Sequence, residues 1–123
     1  NNIENIHVYQ GNAIEIIEDN FNDNVMDEIL IFFPDPWPKT KHRKRRILNT
    51  FSIELFFNKL KNNGTFHFAT DHIEYAYSMK DLISKYTNKK VFFSNNRRCR
   101  PITNYELRGI KRKNFIFDII LKK

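Results

Sequence analysis

ILIFFPDPWPKTKHRKRR, residues 29–46, is the stretch on which the fold turns. Its first five residues, Ile29 to Phe33, form an unbroken apolar run, the pattern of a strand buried on both faces. Pro34, Pro36 and Pro38 then alternate with Asp35 and Trp37. Each proline fixes φ, removes an N–H and disfavours the helical region for the residue before it. Asp35 and Trp37 are therefore expected in a stiff, extended loop just beyond the carboxyl end of a strand, where ligands bind in open α/β sheets. Six of the eight residues from Lys39 to Arg46 are Lys or Arg. A carboxylate, a large aromatic ring and a cationic arm thus leave one strand end. That set suits a base and its phosphates.

Working outward, Ile6 to Tyr9 reads as a short strand, broken by Gly11. Asn12 and Glu15 have the spacing of a capping box that opens a helix ending near Glu18 or Asp19. A helix is expected from about Arg45, with Ile47, Leu48, Phe51 and Leu55 on its apolar face and Phe56, Phe57 and Leu60 extending it. Asn62-Asn63-Gly64 reads as its stop. Thr65 to Ala69 reads as a second buried strand ending at Thr70-Asp71. A helix follows from His72 to about Tyr86, with Ala76, Met79, Ile83 and Tyr86 on one side. Val91 to Phe93 is a further strand, and a short helix is expected after Thr103. Phe115 to Leu121 is the last strand and should pair antiparallel with its neighbour. Strand–helix three times and then two strands implies an α/β fold, with a mostly parallel sheet and an antiparallel edge hairpin.

A chain of 123 residues is one domain, residues 1–123, and 41% apolar content with twelve Phe is enough for a core. Cys99 is the single cysteine, so no internal disulfide can form and a reduced, cytoplasmic setting fits. No apolar run approaches the ~18 residues of a membrane span, and no signal peptide is visible. His7, His42, His67 and His72 have no metal-ligand spacing with one another or with Cys99, so no metal site is expected. Residues 1–35 hold eight acids and no Lys or Arg, whereas residues 36–123 hold all 21 Lys and Arg against six acids. A basic arm of this kind is the footprint of a polyanion partner.

Phe33-Pro34-Asp35-Pro36-Trp37-Pro38-Lys39 followed by His42-Arg43-Lys44-Arg45-Arg46 resembles the signature of the bacterial tRNA (guanine-N7)-methyltransferase family. Ala69-Thr70-Asp71 and Thr103-Asn104-Tyr105-Glu106 with Arg108-Gly109 match that family's other two motifs in order and at fitting spacing. The resemblance implies the Rossmann-like class I S-adenosylmethionine-dependent methyltransferase fold, with strand order 3-2-1-4-5-7-6. Ile6 to Tyr9 would then be the family's third strand. Its first two strands and the glycine-rich cofactor loop have no counterpart, since Gly11, Gly64 and Gly109 are the only glycines. The chain reads as the C-terminal part of such an enzyme. Alone, it is expected to be poorly stable and to bind cofactor weakly, and it would need the missing N-terminal part as a partner.

The resemblance also assigns roles. S-adenosylmethionine is the implied cofactor, with Asn12 and Asp35 as contacts, and tRNA the implied substrate. Asp35 matches the proposed catalytic residue. A carboxylate there can accept hydrogen bonds from guanine N1–H and N2–H and favour positive charge developing on the purine. Lys39, Asp71, Thr103, Asn104, Tyr105 and Glu106 match substrate-binding positions. Lys41, His42, Arg43, Lys44, Arg45 and Arg46 match an RNA-contacting segment, which Arg97, Arg98, Arg100, Arg108, Lys111, Arg112 and Lys113 could extend. Plain structural explanations stand beside these roles. Asp35 could cap a turn between prolines, and Trp37 could pack over the domain to fix its loop. The arm could be a solvated charge run. Asn12-x-x-Glu15, Asp71-x-x-Glu74 and Thr103-x-x-Glu106 could each be a capping box. A non-catalytic RNA-binding remnant is the alternative function, and a DNA-binding arm is supported by charge alone.

Overall fold

The computed structural model of the chain describes residues 3–98, 100–112 and 115–123, so Cys99 and Lys113 lie outside the described residues. The elements in order are α1 (Ala13–Asn20), β1 (Met26–Phe32), a 3-10 segment (Thr40–Arg45), α2 (Thr50–Lys59), β2 (Leu60–Thr70), α3 (Ile73–Thr87), β3 (Phe93–Ser94), α4 (Asn104–Lys111) and β4 (Phe117–Lys122). The four strands lie in spatial order β1-β2-β4-β3. β1 and β2 are parallel, and β4 is antiparallel to both β2 and β3. This is the order of the last four strands in the expected seven-strand pattern.

The register assigns the two faces. Side chains alternate along a strand, so Ile29, Ile31, Phe66, Phe68, Ile119 and Leu121 share one face. That face carries the apolar core. Phe66 lies against Phe56 and Phe57 of α2, and Phe68 meets Tyr75 of α3 edge-on at 5.3 Å. Leu30, Phe32, His67, Ala69, Asp118 and Ile120 share the opposite face. β2 is central and buried from Thr65 to Thr70, as its apolar run predicts.

Several expectations about element bounds and burial fail for physical reasons. Ile6 to Tyr9 forms no strand, and Ile6 and Val8 are exposed, because among the described residues no strand offers that segment a ladder. β1 is not buried on both faces. Ile29 is buried but Leu30 is 44% exposed, since β1 is the sheet edge here. The helix expected from Arg45 starts at Thr50. Asn49 Oδ1 accepts from the Ser52 N–H, and Ser52 Oγ accepts from the Asn49 N–H, a reciprocal cap that pins the start there. The shift turns Ile53, Phe56 and Phe57 inward, leaves Leu48 buried ahead of the helix and puts Phe51 outside.

α2 ends at Lys59 and β2 begins at once with Leu60, so Asn62-Asn63-Gly64 is not the expected helix stop but lies within the strand. Asn63 takes a left-handed φ of 66°, and the β1–β2 register shifts between Met26 and Glu28. A Cβ on Gly64 would lie 2.8 Å from the Lys61 carbonyl oxygen and 3.2 Å from that of Asp27. Both are backbone atoms and cannot swing aside. Gly64→Ala is expected to destabilise the fold by about 1–3 kcal/mol, seen as a lower urea midpoint with an unchanged slope.

Candidate base-binding and RNA-positioning site

The proline loop leaves the carboxyl end of β1. The Phe33 N–H donates to the Ala69 carbonyl at 2.8 Å, which carries the ladder one residue past the strand. The loop is not uniformly extended. Phe33 and Trp37 take left-handed φ values of 52° and 41°, unusual for large side chains, so the loop bends at both. Each residue precedes a proline that denies it the ordinary helical turn. Asp35 is exposed, and its Oδ1 accepts from the Trp37 N–H at 3.0 Å. The turn-capping role is thus present, and it uses one of the two carboxylate oxygens. Trp37 packs rather than projects, with His42 edge-on at 5.8 Å and the Arg45 guanidinium 5.1 Å from its ring centroid.

The second and third motifs meet this loop. The Tyr105 ring lies 5.2 Å from that of Phe33, and its hydroxyl donates to Asp71 Oδ1 at 3.2 Å. Asp35, Asp71 and Tyr105 are thereby gathered beyond the carboxyl ends of β1 and β2. Burial, then the charge and hydrogen bond of Asp71, push the Tyr105 hydroxyl pKa up, so the ring keeps its proton as a donor. Asp71 does not cap α3. His72 does, its Nδ1 accepting from the Tyr75 N–H at 3.2 Å. Glu74, the other half of the expected box, is drawn away to Arg46 and to the Ser78 hydroxyl.

Thr103 and Asn104 are exposed at the start of α4, and Thr103 Oγ1 accepts from the Glu106 N–H. Glu106 departs from its expected place. It is 2% exposed, and its Oε2 accepts from Arg97 and Arg100 at 2.6 Å each. Arg100 also grips Asp118 with two N–H groups, at 3.0 and 2.9 Å. Burial alone would raise the Asp118 pKa, but hydrogen bonds from His67 and Arg100 outweigh it and hold the carboxyl ionised. An ionised carboxylate only accepts, so His67 Nε2 donates to it across 2.7 Å. Arg100 therefore turns inward, away from the basic surface it could extend, whereas Arg97 pairs with Glu106 from a side chain still 32% exposed and Arg98 reaches Glu28. Asp118 is the signal in the sequence that points to this pairing, since an acid within a buried apolar strand needs a cation.

The arm forms the 3-10 segment. Lys39, Lys41, Arg43, Lys44 and Arg45 are exposed, and His42 is half-buried against Trp37. Arg46 departs from the expected RNA surface, with its side chain only 5% exposed. Its hydrogen bond, opposed by partial burial and aided by Ser78 and by the charges of Arg46 and Arg43, holds the Glu74 carboxyl down at about 2. A lowered folded pKa means the unfolded chain takes up the proton first. The contribution of Glu74 is complete above its ordinary 4.5 and is lost as pH falls through about 2. Glu74→Gln is expected to flatten the rise of stability with pH across that window, checked by urea midpoints at a series of pH values.

Asn12 lies at the other end of the site. It caps α1, Oδ1 accepting from the Ile14 and Glu15 N–H groups. A cleft of about 650 Å³ runs from this cap to Lys44 and Arg45 of the arm. An apolar groove of about 450 Å³ lies beside it, between Tyr9, Ile16, Ile17, Phe21 and Met26. Among the described residues, no three His, Cys, Asp or Glu side chains gather as a metal site, and no helix is long and apolar enough to cross a membrane.

A parallel β1–β2 pair joined through α2, an antiparallel β4 set between β2 and β3, and a site at the strand carboxyl ends define the S-adenosylmethionine-dependent methyltransferase fold. The crystal structure of a SAM dependent methyltransferase from Archaeoglobus fulgidus matches with a TM-score of 0.56 over 97% of this chain and 68% of that one, and its 14% identity makes this a likeness of fold. A family model described as putative methyltransferase matches residues 1–119, and the chain belongs to that family. The tRNA (guanine-N(7)-)-methyltransferase of Francisella philomiragia subsp. philomiragia is 40% identical over 125 residues, covering 99% of this chain and 55% of the relative. That of Neisseria gonorrhoeae is 36% identical over 126 residues, covering 100% of this chain and 53% of the relative. The resemblance read from the proline motif is thereby borne out, and the chain spans about half the length of these curated relatives.

Proposed function

We propose that this chain is the carboxyl-terminal half of a cytoplasmic tRNA guanine-N7 methyltransferase and carries its base-binding and RNA-positioning residues. The observation that carries this reading is the convergence of Asp35, Asp71 and Tyr105 beyond the parallel strands, beside an arm of exposed cations. S-adenosylmethionine, when bound, supplies the methyl group as a sulfonium. Asn12 and Asp35 are the residues of this chain that would hold it. Capping occupies Asn12 Oδ1, which leaves Nδ2 to donate to an adenine ring nitrogen. Asp35 has a second carboxylate oxygen beyond the one engaged by the Trp37 N–H, available to the guanine N1–H and N2–H edge. Lys39 and Asp71, with the segment Thr103, Asn104 and Tyr105, orient the nucleotide. Lys41, His42, Arg43, Lys44 and Arg45 engage phosphates, which fix register without reading sequence.

A second reading, an RNA-binding piece without catalysis, is carried by the arm alone, whose exposed Lys39, Lys41, Arg43, Lys44 and Arg45 suit a polyanion with or without methyl transfer. Completing the chain with the N-terminal half of the Francisella relative, then adding tRNA and labelled S-adenosylmethionine, separates the two. Label recovered as 7-methylguanine supports the enzyme. Salt-sensitive tRNA binding without label supports the second reading.

A further inference from the structure

Arg46 sits inside the cationic arm yet does not face outward with it. Its side chain is 5% exposed, against 43% for Arg43. Its Nε donates to the Pro36 carbonyl at 2.6 Å, another guanidinium nitrogen donates to Glu74 Oε2, and its Cζ lies 4.4 Å from the centroid of the Tyr75 ring. Glu74 and Tyr75 are themselves held. Ser78 Oγ donates to Glu74 Oε1 at 2.6 Å, and Tyr75 is fully buried against Phe68 of the central strand. Pro36 follows Asp35 directly. Prolines at 34, 36 and 38 strip the loop of backbone donors, so a carbonyl is the handle by which the helical layer can grip it. The Trp37 N–H is spent within the loop on Asp35.

We propose that Arg46 is a positioning residue, which fixes the Asp35 loop against α3 and makes no phosphate contact. The proposal rests on the methyltransferase reading for its effect on turnover, though not for its effect on the loop. The fork of a guanidinium matters here, because lysine cannot serve a carbonyl and a carboxylate in one plane while stacking on a ring. A loop displaced by about 1 Å is enough to lower turnover up to a hundredfold.

The test uses the completed protein, with any tryptophan of the added half replaced by phenylalanine so that Trp37, the one Trp of this chain, reports on the loop. Arg46→Ala, Arg46→Lys and Lys44→Ala are compared at a temperature where circular dichroism shows all three folded. For Arg46→Ala we expect lower Trp37 emission anisotropy, kcat reduced about tenfold to a hundredfold, and KM for tRNA within about twofold. Arg46→Lys should restore little of either. The slope of log tRNA affinity against log salt should stay at the unsubstituted value for Arg46→Ala and shrink by about 0.7–0.9 for Lys44→Ala. Unchanged anisotropy, or a salt slope that shrinks for Arg46→Ala as it does for Lys44→Ala, overturns the proposal. So does wild-type kcat in an Arg46→Ala protein that is folded. If the unsubstituted protein transfers no methyl group, the proposed function fails, while anisotropy and salt slope still decide the role of Arg46.

Discussion

Arg100→Ala is expected to destabilise the completed protein by about 3–5 kcal/mol, the usual consequence of removing one member of a buried ion pair. Arg100 is 4% exposed and joins Asp118 on β4 to Glu106 on α4. Without it, among the described residues, Asp118 is left with His67 and Glu106 with Arg97 as side-chain partners in this network. The carboxylates would then be buried without their shared countercharge, and a domain has only about 5–15 kcal/mol of stability in total. Arg100→Lys should recover a minor part of the loss, since an ammonium lacks the fork that spans two carboxylates. Urea unfolding with constant slope measures this. A midpoint equal to that of the unsubstituted protein would show that the network does not secure α4. The same substitution should loosen Tyr105, because Glu106 and Tyr105 are adjacent on α4 and Glu106 ties that helix to Asp118 of β4 through Arg100.

On the proposed function, Asp35→Asn in the completed protein is expected to lower kcat for guanine methylation by about a hundredfold or more, nearly as much as Asp35→Ala. The two variants separate loop structure from chemistry. Asparagine keeps an oxygen for the Trp37 N–H, so the turn seen at 3.0 Å survives. It loses the negative charge, and its amide group opposes the guanine N1–H and N2–H donors. Labelled 7-methylguanine formed per minute is the readout. If Asp35→Asn is as active as the unsubstituted protein, the carboxylate serves only the turn.

The class of fold was legible along the chain because its signals are local. An apolar run followed by three alternating prolines and a cationic arm placed a loop after a strand, and the loop does leave the carboxyl end of β1, which pairs in parallel with β2. α1 opens at Asn12 as its side-chain chemistry requires. Helix starts were less secure where two caps compete within a few residues. His72 takes the role expected of Asp71, and Asn49 starts α2 well after Arg45. Ile6 to Tyr9 has strand composition and no strand, because a strand is defined by its neighbour.

Charge type and motif order were thus determined by the sequence itself: which cations, carboxylates and rings this protein has, and that they lie at strand ends. Which way those groups point was decided only in three dimensions. Arg46 and Arg100 belong to cationic clusters that look uniform in one dimension. Both turn inward, since folding brings Glu74 to Arg46 and Asp118 to Arg100 from separate segments of the chain, and Glu106 joins Arg100 from the start of α4. Glu106 turns inward in the same way, drawn by Arg97 and Arg100. A charge in water is indifferent to direction, but a charge at a buried interface must meet its opposite, and only the packing of α3 and α4 on the sheet says where that opposite lies.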